Sequence, residues 1–170
     1  YYAKKMGVPI GKLICASNEN KVLYDFFRTG TYDRNREFVL TTSPSMDILI
    51  SSNLERLLYL KAGASKTAAY MKSLRETGAY RVAPDVHESI TRDISGLYCG
   101  EEQTEQTIRR TFERYRYLCD THTAVGLHCA EKYIRESGDS AKTLVVSTAS
   151  PFKFAVDVCH ALTGKRPEDE

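Results

Sequence analysis

The stretch TLVVSTASPFKFAVDVCHALTG, Thr143 to Gly164, constrains the fold more than any other. Leu144, Val145 and Val146 form an apolar run without polar alternation, the pattern of a strand covered on both faces by helices. Ser147 and Thr148 end the run. Ser150 then stands where a helix N-cap belongs, and Pro151 falls at the first helical position, where a missing N–H costs nothing. Phe154, Ala155, Val158, Cys159 and Leu162 follow at helical spacing. In open α/β sheets ligands sit at such a turn, because strand carboxyl ends and helix N-termini converge on one crevice. The same hydroxyls also serve as helix caps with no ligand present, and spacing alone does not separate the two uses.

The rest of the chain repeats this grammar. YYAKKMG at the start has the marks of a helix's last turn, with Lys4 and Lys5 complementing the dipole, Gly7 at C′ and Pro9 beyond. Such a beginning is that of a polypeptide cut from a longer one. Lys12–Ala16 reads as a buried strand, SNEN at 17–20 as a cap, and Val22, Leu23, Phe26 and Phe27 as the stripe of a helix that stops at Gly30. The segment 31–47 reads as a long connection with a short strand at Phe38–Leu40, and Ile48–Ile50 as another. Ser52 with Glu55 makes a capping box, opening a helix lined by Leu54, Leu57 and Leu58. A turn at Ala62–Gly63 separates it from a helix over 65–77. Residues 80–100 carry little periodicity beyond Val82 and Val86. A helix over 101–118 and another over 121–135, capped by Asp120, complete the approach to the strand, turn and helix above. Gly126 is costly in that helix interior and points to the close approach of another backbone or a ligand. Alternating strands and capped helices predict an α/β fold with a parallel sheet flanked by helices, and 170 residues fit one domain with a real core.

Charge and cysteine usage exclude several classes. A net charge of +2 is too mild to imply nucleic acid or an anionic membrane as partner. Arg109, Arg110, Arg114 and Arg116 crowd one helix, but Glu105 and Glu113 lie among them, which favours a solvated face. Five irregularly spaced cysteines suit a reducing, cytoplasmic compartment. Cys119, His122, His128 and Cys129 lack the paired spacing that converges zinc ligands, so no metal is expected. No GxSxG, GxGxxG or GxxxxGK[ST] occurs. Lys66 and Lys153 have the settings of surface lysines rather than of desolvated nucleophiles.

Three segments carry a more specific signal: MGVPIGKLICASNENKVLYDFFRTGTYDRNREF, SPSMDILISSNLERLLY, and DTHTAVG with VVSTASPFKF. In this order they resemble the later part of threonine synthase, over nearly the whole chain. The resemblance implies the tryptophan synthase β-like fold of the fold type II pyridoxal-phosphate enzymes, an incomplete sheet, and conversion of O-phosphohomoserine and water to threonine and phosphate. It implies that the Schiff-base lysine and the glycine-rich phosphate loop precede Tyr1, that KRPEDE is an interior position, and that residues 1–170 form a single truncated portion, inactive alone. The family's STAxPxKF matches Ser147 to Phe154. Thr148 is thereby the residue facing the cofactor's pyridine nitrogen, with Ser147 the second choice, and no catalytic residue lies in this portion. The family commonly has Pro where Thr121 stands and His where Ser150 stands. Asn53 and Arg56 lie in a family-like segment without an assignable substrate contact. The rival readings are another fold type II enzyme, such as a serine or threonine dehydratase, and a non-catalytic α/β interaction domain.

Overall fold

The structure, a computed structural model, describes residues 1–167. Its helices are α1 (Tyr2–Lys5), α2 (Val22–Thr29), α3 (Ser52–Thr77), α4 (Pro84–Asp93), α5 (Glu101–Tyr115), α6 (Thr121–Ser137) and α7 (Ala155–Thr163). The strands are β1 (Leu13–Ser17), β2 (Thr31–Asp33), β3 (Ala79–Arg81) and β4 (Ile94–Tyr98). Short 3₁₀ turns cover Pro44–Met46 and Pro151–Phe154.

β1 and β4 form a two-stranded sheet. Cys99, just past β4, donates its N–H to the carbonyl of Ser17 at the end of β1 (2.9 Å). The carboxyl ends therefore lie together and the pair is parallel, as the alternating pattern predicts. β2 and β3 instead pair antiparallel, with Tyr32 opposite Tyr80. Neither short strand is legible in the sequence; three residues are too few for a period to show.

The chain divides into two compact units. The first holds residues 1–15, 21–38 and 48–97. Its core is aromatic: Tyr32 stacks on Tyr80 at 5.3 Å, and Phe26 meets both rings edge-on at 6.1 Å. The buried Tyr32 hydroxyl is satisfied by the Leu49 carbonyl (3.0 Å) and the Ser51 N–H (2.9 Å). α3 is broken at Gly63, whose φ of 79° and ψ of 172° are not helical, so two helical segments meet there at the expected turn. Gly30 and Gly78 end α2 and α3 in the left-handed conformation that glycine adopts without strain. Val86 is buried on α4.

The second unit holds residues 16–20, 39–47 and 98 onward. α5 packs against α6 and α7, burying Ile108, Cys119, Ala124, Val158 and Ala161. α5 ends at Arg116, in the left-handed region at φ 55°, rather than at Leu118. Tyr115, in its last turn, is 63% exposed.

Three expected strands are absent from the described residues. Phe38–Leu40 and Ile48–Ile50 are irregular, and so is Leu144–Val146. Leu144 is 88% exposed and Val146 71% exposed. A fully apolar strand needs a neighbour on its hydrogen-bonding edge and a layer on each face; among the described residues this run has neither.

Candidate functional site

The turn before α7 forms as the sequence requires, without the strand. Ser150 caps it, its hydroxyl accepting from the Phe152 N–H at 3.4 Å, and Pro151 opens a 3₁₀ turn that passes into α7. Ser147 and Thr148 are exposed just before it. The Ser147 hydroxyl lies 3.0 Å from that of Thr123 on α6. Among the described residues no hydrogen bond engages the Thr148 hydroxyl.

The N-terminus of α6 is the other half of the site. Asp120 is fully buried, and its Oδ1 accepts the N–H groups of His122 (2.8 Å) and Thr123 (3.2 Å). Its Oδ2 accepts the Thr123 hydroxyl. His122 accepts the Ser45 N–H at Nε2 (3.1 Å), so the proton of the neutral ring sits on Nδ1, 3.3 Å from Asp120 Oδ1. Phe154 covers the imidazole at a centroid distance of 4.7 Å. Gly126, one turn further along α6, is approached by a side chain: a Cβ there would lie 3.3 Å from Val145 Cγ1.

A second polar group in this unit was not legible. SNEN is not the cap of α2, which begins after Lys21 with no side-chain cap bond. Asn18 and Asn20, both buried, instead hold the 39–47 segment. Their amides donate to Asp47 Oδ1 at 2.7 and 2.9 Å. Asn20 also donates to the Val39 carbonyl (2.7 Å), while its own Oδ1 accepts the Val39 N–H (3.0 Å). Asp47 accepts in turn from Thr41, at both backbone N–H (3.0 Å) and hydroxyl (2.7 Å). The signal was the i, i+2 spacing of two asparagines at a strand end, which puts both amides on one side of the chain. Close by, Glu101 Oε2 accepts the Thr42 N–H at 2.8 Å.

The remaining candidates take surface or core roles. Lys66 is half-exposed and pairs with Asp85 at 3.6 Å, and Lys153 is exposed with its ammonium 5.5 Å from the Phe154 ring centroid. Among the described residues no three His, Cys, Asp or Glu side chains gather as metal ligands. Cys119 and Cys129 are buried, and burial pushes the Cys119 thiol up to about 11. Arg109 donates to the Ala161 carbonyl at 2.9 Å, and Arg110 pairs with Glu131. In the first unit a cavity of about 260 Å³ is floored by Leu23, Phe27, Leu57 and Cys15 and also lined by Asn53 and Arg56. Burial pushes the Cys15 thiol there up to about 11, so it is a poor nucleophile.

A parallel strand pair, capped helices and a hydroxyl turn opening a late helix make this an α/β protein. The solved structures agree. The threonine synthase of yeast superposes with a TM-score of 0.92 at 36% identity, covering 99% of this chain and 36% of that one. A threonine synthase from Brucella melitensis, described as PLP bound, superposes with a TM-score of 0.87 at 34% identity over the same shares. In sequence, the threonine synthase of Saccharomyces cerevisiae is 39% identical over 180 residues, which is 96% of this chain and 35% of the relative. Residues 123–169 match the family model described as threonine synthase, C-terminal. The chain is similar to part of these threonine synthases, and it spans about a third of the length of the relatives it matches. Among the described residues no helix is long and apolar enough to cross a membrane.

Proposed function

We propose that this chain belongs to an enzyme that converts O-phosphohomoserine and water to threonine and phosphate with pyridoxal phosphate, in the cytoplasm. Within it, the turn at 147–150 faces the pyridine side of the cofactor. The observation that carries this reading is the placement of Ser147 and Thr148: two exposed hydroxyls precede a capped helix, within a family match that runs through residues 123–169.

The donor set at the turn suits the cofactor. Its polar residues are hydroxyl-bearing, with no carboxylate among residues 147–150; a hydroxyl can donate to a neutral pyridine nitrogen without holding it protonated. When bound, the cofactor ring supplies the electron sink for the chemistry. Thr148 would hold the ring nitrogen through its hydroxyl, with Ser147 as the second candidate. Neither Lys66 nor Lys153 serves as the cofactor lysine, and the isolated 170-residue chain is inactive.

Thr148→Val in the intact protein tests the assignment. Losing one hydrogen bond of about 1 kcal/mol slows turnover by roughly fivefold and shifts the visible absorption of the bound cofactor, with the fold unchanged. An unchanged spectrum and rate would move the contact to Ser147 or away from this turn. The isolated chain, mixed with pyridoxal phosphate and reduced with borohydride, retains no specific adduct; stoichiometric labelling at Lys66 or Lys153 would contradict this reading.

A further inference from the structure

The two hydroxyls of the turn are not equivalent, and the difference is set on α6. The buried Asp120 uses Oδ1 for the N–H groups of His122 and Thr123 and Oδ2 for the Thr123 hydroxyl. A carboxylate has no proton to give, so the Thr123 proton points to Asp120. At the 3.0 Å contact with Ser147, Thr123 Oγ1 can then only accept, and Ser147 must donate. Ser147 therefore offers nothing but lone pairs to anything beyond it. Thr148 is exposed and keeps its proton free.

We propose that Asp120 and Thr123 are positioning residues of the cofactor site: they take up the Ser147 proton and pin the turn, leaving Thr148 as the hydroxyl that donates to an acceptor nitrogen. This deepens the reading of the turn as cofactor-facing and rests on it. The chain of bonds has a built-in reversal. In Asp120→Asn the amide Oδ1 keeps the two backbone N–H groups, which places Nδ2 where Oδ2 stood. The amide then donates to Thr123, Thr123 donates to Ser147, and the Ser147 proton turns outward.

The test uses the intact protein, with and without pyridoxal phosphate. Without it, Thr123→Val and Ser147→Ala combined should destabilise no more than Thr123→Val alone, because each removes the same bond. Additive losses would overturn the bond chain. With it, Thr123→Val and Asp120→Asn each shift the cofactor's absorption maximum, and Thr123→Val raises its Kd by roughly three- to tenfold. Thr123→Ser restores both readouts, which a purely structural role for the side chain's bulk would not give. Adding Ser147→Ala to Asp120→Asn removes the latter's spectral shift; its persistence would refute the reversal. If Thr148→Val shifts the spectrum while Thr123→Val does not, the positioning role fails and the turn reading stands. If both are silent, the turn reading fails and takes the proposal with it.

Discussion

Replacing Asp120 by alanine perturbs the second unit at the point where its local structure is most concentrated. The side chain is fully buried and satisfies three donors: two backbone N–H groups of the first turn of α6 and the Thr123 hydroxyl. Loss of an N-cap costs about 1–2 kcal/mol. The Thr123 hydroxyl also loses its carboxylate acceptor and keeps only Ser147, which adds about 1 kcal/mol. A loss of about 2–3 kcal/mol, at 1.4 kcal/mol per factor of ten, opens the first turn of α6 at least roughly 30-fold more often. Hydrogen exchange by mass spectrometry on peptides covering Asp120–Val125 reads this directly. Asp120→Asn is the control. Asparagine caps as well as aspartate, and only the charge at the helix N-terminus is lost, so exchange stays within about fivefold of the unsubstituted protein. Exchange in Asp120→Ala within fivefold of the unsubstituted protein, or equal damage from both substitutions, would refute the capping argument.

Gly126→Ala gains about 1 kcal/mol of helix propensity against mild crowding of Val145, whose segment is irregular and can give way; thermal unfolding should show a neutral to modestly stabilised protein, and a marked loss would mean that a ligand or backbone uses that space. Burial first, then the charges of Lys132 and Arg110, hold His128 below its ordinary 6.5. The unfolded chain thus binds the proton more readily. The contribution of His128 is present above pH 6.5, is lost as pH falls through the lower folded value, and should vanish in His128→Gln when urea midpoints at pH 7.5 and 5.5 are compared. Alkylation at pH 8 should reach the half-buried Cys159 before Cys99 and Cys119, whose thiols burial holds at about 11; peptide mapping that finds Cys99 modified first would contradict the burial argument.

Helices were legible in this sequence wherever they carried a cap and a stripe. Asp120, Gly30 and Gly78 mark real ends because capping is decided within a few residues. The helix at 84–93 was missed: its buried face is only Val86 and Ile90, too few positions to show a period, although Pro84 at its first turn was a start signal. Strands were less legible, because a strand is completed by its neighbours. Leu144–Val146 has the composition of a buried strand, yet no strand among the described residues pairs with it. Of the candidate site, Ser147 and Thr148 could be proposed from spacing and resemblance. The Asp120–Thr123–Ser147 contact could not, since it joins residues 24 apart through tertiary packing. The asparagine pair failed for the same reason: its partners lie at Val39–Asp47, beyond any local window.

The central claim, that the chain is part of a phosphate-eliminating threonine-forming enzyme, is tested most directly by assaying the intact protein with pyridoxal phosphate against two substrates. The account predicts stoichiometric phosphate and threonine from O-phosphohomoserine, with little deamination of threonine. Deamination of threonine without phosphate release would place the protein among the dehydratases and contradict it.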